Sequence, residues 1–203
     1  PRSTPLYSSA ASVCIRDSLY KGRNKMSKPM MYGNFTKKFL DELSLELSNK
    51  KVLEIYSGNG YLASELQKRG VNILPTTIFS GHDGHQEKIY TEVEELDAVS
   101  AVEKYQDDYD ILLVSWPTVS EEMWKAAMTW GDDKDIIFIG EMPNLKYSWG
   151  MYPGCASDLF FESVDIIKDF NCYEPKNILD KACYVKSKTD YVNNYKNHQG
   201  MKL

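Results

Sequence analysis

Between Asn34 and Glu141 the chain alternates short apolar runs with stretches of helical spacing, and this alternation limits the possible folds more than any other feature. "KVLEIY", "VNILPT", "KIYTEV", "YDILLVSW" and "KDIIFIGE" read as five strands. The first is apolar almost throughout, apart from Glu54, as a parallel strand covered on both faces should be. Amphipathic segments lie before the first strand and between the later ones. "NFTKKFLDELSLEL" places Phe35, Phe39, Leu40, Leu43 and Leu47 at helical spacing with Asn34 as its N-cap. "GYLASELQKRG" is a helix with Gly70 at its C′ position, "EELDAVSAVEKY" gives another, and "SEEMWKAAMTW" is capped by Ser120. Strands that alternate with helices need right-handed crossovers, so the expected fold is α/β, with a mostly parallel, doubly wound sheet and helices on both faces. Further on, "ASDLFFESVDIIKDF" reads as a helix, "KNILDKACYVKSK" as one or two strands, and the last ten residues as a polar tail.

A chain of 203 residues with 42% hydrophobic content holds enough apolar surface for one full core. Its net charge of −5 does not suit a surface that tracks a phosphate backbone throughout, so nucleic acid is possible but not indicated. No apolar run approaches the roughly 20 residues that span a bilayer. Cys14, Cys155, Cys172 and Cys183 lack metal-ligand spacing and read as reduced thiols of a soluble, cytoplasmic protein. His82, Asp83 and His85 in "SGHDGH" have no third histidine nearby and read as a solvated turn, so no metal is expected. Residues 1–33 form an N-terminal arm with Asp17 as their only acid. They lack the amphipathic period of a transit peptide, and "KGRNK" before Met26 is compatible with a leader that precedes a natural start at Met26. Residues 34–203 form the folded domain.

The turn after the first strand, "YSGNG", carries Gly58 and Gly60 where the sheet's carboxyl edge meets a helix N-terminus, the usual ligand position in open α/β sheets. Glu54, an acid in an otherwise buried strand, needs a partner, either a ligand cation or the loop itself. "VLEIYSGNGYLASEL" resembles motif I of class I S-adenosylmethionine-dependent methyltransferases, an acid followed by G-x-G-x-G. The resemblance extends over residues 34–170 and implies the Rossmann-like sheet of that family. It implies that Glu54 and the backbone at Ser57, Gly58 and Gly60 approach the cofactor's methionine portion, and that Asp97 and Ala98 approach the adenine. Ser115, Trp116 and Pro117, in "SWPT", would lie beside the sulfonium. That segment is similar to the D/N/S-P-P-Y/F signature of amino methyltransferases, with Trp116 placed to stack on a planar substrate.

The chain departs from the pattern twice. Tyr56 stands where the first glycine belongs, to crowd or cover the cofactor. The acid expected at the end of strand two is replaced by Thr76 and Thr77, whose neutral hydroxyls bond a ribose more weakly. The expected function is methyl transfer from S-adenosylmethionine to a small molecule or an exposed amino group. The alternative is a non-catalytic protein of the same fold that has lost the cofactor and serves as a binding or assembly module with a protein partner. An NAD-dependent enzyme is a third reading, disfavoured by the missing acid. Glu141 reads as either a substrate-orienting acid or a loop anchor, and "NLKYSWGMYPGCAS" as a substrate lid. Met123, Trp124, Met128 and Trp130 fall at helical spacing and read as core.

Overall fold

A computed structural model describes residues 32–79, 89–143 and 154–200. The chain forms two units, residues 1–31 and 32–203, and every described residue lies in the second.

Seven strands form one sheet: β1 (Lys51–Ile55), β2 (Asn72–Thr77), β3 (Glu94–Glu95), β4 (Ile111–Ser115), β5 (Asp135–Glu141), β6 (Val164–Asp169) and β7 (Asp180–Ser187). Their order is β3-β2-β1-β4-β5-β7-β6. All neighbours are parallel up to β5, while β7 runs antiparallel to both β5 and β6. This is the expected α/β, Rossmann-like, mostly parallel sheet, with β1 and β4 at its centre.

Helices cover both faces. Helix α1 (Lys37–Glu46) and helix α2 (Tyr61–Gln67) bury Phe39, Leu40, Leu43, Leu62 and Leu66 against Val52 and Leu113. On the other face helix α3 (Ala98–Tyr105) and helix α4 (Glu122–Trp130) pack on Leu53, Ile55 and Val114. Met123, Met128 and Trp130 are core, as their spacing implies; Trp124 is partly buried, against Tyr195. Gly70 takes the C′ place with φ +85°, and the chain closes a Schellman pair from Val71 N to Leu66 O and from Gly70 N to Gln67 O.

Several elements differ from expectation. Thr36, not Asn34, caps α1 by accepting from Phe39 N, while Asn34 Nδ2 donates to Glu174 O. Ser120 accepts from Glu122 N at 3.3 Å, but Glu121 occupies the N-cap position of α4. The third strand is shifted to Glu94–Glu95, because the preceding residues are engaged elsewhere: Tyr90 N bonds Asn59 O, and Thr91 and Val93 pack on Gly60. The segment read as one helix from Ala156 to Phe170 is short helix α5 (Asp158–Glu162) followed by strand β6. Buried Ser163 ends α5 by donating to Phe160 O, and β7 offers an open edge whose backbone groups β6 satisfies. The polar tail is largely helix α6 (Thr189–Gly200), held by Val192, Tyr191 and Tyr195 on the core. No described helix is long and apolar enough to cross a membrane.

Candidate functional site

The site lies at the carboxyl edge, where β1 and β4 leave the sheet side by side. The turn after β1 takes left-handed backbone at Tyr56 (φ 59°), Gly58 (φ 55°) and Gly60 (φ 73°). Glycine adopts this conformation freely, whereas tyrosine does so at a cost of about 1 kcal/mol. Tyr56 thus holds a backbone conformation that glycine would take without strain. Its ring packs against the core, and its buried hydroxyl lies beside the Thr118 and Ser120 hydroxyls without a well-formed bond to either. Burial, reinforced by the Glu122 and Asp97 charges, raises the phenol far above its ordinary range.

The loop uses most of its own polar groups. Ser57 donates to Thr76 O from both its N–H (3.1 Å) and its hydroxyl (3.0 Å), and Gly60 N donates to Ser57 O (2.9 Å). A β-carbon on Gly60 would stand 2.8 Å from Val93 Cγ2 and 2.9 Å from Thr91 Cγ2, so the 91–93 segment closes directly over the turn. Thr76 is fully buried, and its hydroxyl donates to Glu54 O at 2.9 Å. Thr77, half-buried, ends β2 beside Glu95.

Glu54 differs from its neighbours. Its side chain is fully buried, and neither carboxyl oxygen has a hydrogen-bond partner among the described residues. Burial pushes its carboxyl up to about 8. Asp97 caps α3 by accepting from Ser100 N (2.8 Å) and Ser100 Oγ (2.6 Å). Burial alone would raise its carboxyl, but these bonds outweigh it and hold the group below the usual range. Ala98, buried, follows as the first residue of α3.

On β4, Ser115 stands opposite Ile139, and Trp116 leaves the strand with φ 53° while its N–H bonds Ile139 O at 2.8 Å. Pro117 is buried behind it. One side of the Trp116 ring meets Tyr32, with centroids 5.8 Å apart, which limits its stacking on a substrate to the remaining surface. The Trp116 indole N–H is buried beside the Tyr173 hydroxyl without a well-formed bond to it.

Tyr173 and Asp180 are the residues that sequence reasoning missed. Tyr173 Oη accepts from Asn34 N (3.2 Å) and donates to Asp180 Oδ1 (2.8 Å), while Asp180 Oδ2 accepts from Lys176 N (2.9 Å). Burial raises the Asp180 carboxyl despite these donors. The only sequence signal was an acid opening an apolar strand. Asn177 Nδ2 donates to Glu141 Oε1 at 2.9 Å, which favours the loop-anchor reading of Glu141. Cys155, Cys172 and Cys183 are buried, unpaired thiols. Asp83, the two loop histidines, Cys14 and residues 144–153 of the expected lid lie outside the described residues. Among the described residues no group of three ligating side chains could hold a metal ion.

The geometry brings Glu54, Tyr56, Ser57, Gly58, Gly60 and Thr76 together on the β1–β2 side, and Ser115, Trp116 and Pro117 on the adjoining β4 side. Asp97 and Ala98 stand at the N-terminus of α3, with the Asp97 charge acting on Tyr56.

No protein-family model matches the chain, and no curated protein matches it in sequence. Solved structures of similar fold include the ribosomal protein L11 methylase of Lactobacillus delbrueckii subsp. bulgaricus, at 14% identity and a TM-score of 0.45, covering 79% of this chain and 83% of that one. A mutant of MtNAS in complex with S-adenosylmethionine is similar at 13% identity and a TM-score of 0.49, over 74% of this chain and 62% of that one. The B. subtilis M1A22 tRNA methyltransferase TrmK is similar at 11% identity and a TM-score of 0.47, over 76% and 67%. The chain thus spans less than two thirds of the MtNAS chain, and at these identities the likeness is one of fold.

Proposed function

We propose that the chain is an S-adenosylmethionine-dependent methyltransferase acting on a small molecule or an exposed amino group. The observation that carries this reading is Glu54. A fully buried carboxyl with no partner on either oxygen is costly to keep, and it stands at the carboxyl end of the central strand beside a glycine turn. A cationic amino group reaching it from the turn would satisfy it, so the residues present fit the cofactor's methionine portion. Bound there, the cofactor supplies an electrophilic methyl group on a sulfonium.

The chain's own contribution is alignment. Gly58 lets a ligand come close to the main chain, Gly60 lets the 91–93 segment pack on the turn, Asp97 and Ala98 border the adenine side, and Ser115 to Pro117 flank the acceptor. Methyl transfer depends chiefly on in-line placement of nucleophile and sulfonium, which a rigid sheet edge provides. Trp116 holds an unusual backbone angle and a buried donor at this edge, features that concentrate at functional sites. The buried, unpaired thiols support a cytoplasmic setting.

A second reading, a non-catalytic binding or assembly module, is favoured by one observation. The 91–93 segment covers the turn at Gly60, and Thr76 is bonded to its own sheet.

Titration with S-adenosylmethionine and S-adenosylhomocysteine, by calorimetry and thermal shift with NAD as control, separates the two. Under the first reading the adenosyl ligands bind selectively, and Gly58→Arg abolishes binding while the circular dichroism spectrum stays native. Under the second there is neither heat nor shift at millimolar ligand.

A further inference from the structure

The cofactor reading of the carboxyl edge leaves open the state in which Glu54 waits for its ligand, and the structure bears on that directly. By strand alternation Glu54 shares the face of Val52, which α1 and α2 cover. Its register neighbours are Pro75 on β2 and Leu113 on β4, neither of which brings a charge. The ionisable groups on the covering helices are Lys37, Lys38, Asp41, Glu42 and Glu46 of α1, and Tyr61 and Glu65 of α2. On the same side of the sheet, Tyr173 and Lys176 both donate to Asp180. None of these groups bonds either oxygen of Glu54, and burial is the cause of its shifted titration. Neither of the two charge states is free of cost, but an enclosed carboxylate without a donor costs far more than the neutral acid.

We propose that Glu54 is a neutral acid in the ligand-free protein, and that it receives the ligand's cationic amino group by releasing its own proton to solvent. The carboxyl O–H bond breaks, the proton passes to buffer, and the carboxylate forms an ion pair with the ammonium, which keeps its protons. Binding therefore tightens as pH rises, and the site discriminates by charge. An adenosyl ligand with the amino-acid tail draws the proton out, and one without the tail does not. This inference rests on the cofactor reading of the site.

The test is calorimetric titration of the full chain with S-adenosylhomocysteine from pH 5.5 to 7.5, below the range in which the ligand's own amine titrates. At pH 6.5 it is repeated in phosphate and in Tris, whose ionisation enthalpies differ. The expected results are release of close to one proton per ligand and an affinity gain of about tenfold per pH unit. Glu54→Gln, neutral and of the same shape, should bind with a flat pH profile and no proton release. 5′-Methylthioadenosine, which lacks the amino-acid tail, should release none even from the unmodified protein. Binding of S-adenosylhomocysteine with pH-independent affinity and no proton exchange would overturn the proposal and leave the cofactor reading standing. Absence of binding at every pH by natively folded protein would remove both.

Discussion

The hydroxyl of Thr76, at the end of β2, donates a 2.9 Å hydrogen bond to the main-chain oxygen of Glu54 on β1. This bond ties the two strands together at the position where the resemblance to methyltransferase motif I implies an acid for the ribose. Thr77, one residue on and half-buried, is the better place to restore that acid. Thr77→Asp should tighten S-adenosylhomocysteine binding about tenfold, the scale of one charge-assisted hydrogen bond. Thr76→Asp should instead destabilise the fold by about 2 to 4 kcal/mol, since it buries a charge and breaks the bond to Glu54. Calorimetry and urea unfolding read the two effects, and equal behaviour of the two variants would contradict this assignment.

Glu54 makes stability depend on pH. The native protein holds this proton up to about pH 8, whereas the unfolded chain releases it near 4.5. Between those values the native state binds more protons. Its stability contribution is complete below about 4.5 and is lost as pH rises through 8. The loss is on the order of a few kcal/mol. Urea midpoints of the unmodified protein and Glu54→Gln should diverge steadily from pH 5 to about 8 and level off above it, the variant gaining. A constant difference would show that Glu54 does not titrate in this window.

Tyr56 holds a left-handed backbone angle that glycine would adopt without strain. Tyr56→Gly should relieve about 1 kcal/mol of strain but lose the buried ring, a net cost of about 1 to 2 kcal/mol. By uncovering the space near Asp97, Thr118 and Ser120 it should strengthen S-adenosylhomocysteine binding several-fold. Weaker binding would mean that the ring is a contact rather than a cover.

Two glycines with similar backbone angles offer a controlled comparison. A β-carbon at Gly60 meets Val93 and Thr91 below 3.0 Å, whereas one at Gly70 meets nothing within 4 Å. Gly70→Ala should cost only the backbone strain, about 1 kcal/mol, and Gly60→Ala about 2 to 3 kcal/mol. Thermal unfolding midpoints would show the difference, and equal costs would mean that the 91–93 segment does not press on the turn.

Four of the five parallel strands, β1, β2, β4 and β5, the helices that flank them and the glycine turn were legible because their signals are local. A buried parallel strand needs an apolar run, and an amphipathic helix needs its period. The signal failed where a local pattern fitted two partners. Val164 to Asp169 satisfies a helical face in isolation, but beside the open edge of β7 its backbone forms a ladder. Val93 reads as strand, yet it packs on Gly60. The candidate site divides in the same way. Its residue types at the ends of β1 and β4 stand in the sequence, but Tyr173 and Asp180 do not announce themselves, since Tyr173 meets Asn34 across 139 residues.

The sequence by itself determined the α/β succession and the position of an acid before a glycine turn, because hydrophobic periodicity and backbone preference act over a few residues. Only the tertiary structure decided which polar groups are satisfied. Thr76 and Tyr173 meet acceptors or donors brought to them by the fold, while both oxygens of Glu54 are enclosed without one among the described residues. Burial and pairing depend on what neighbouring strands and helices bring to a side chain, and no window of sequence contains that.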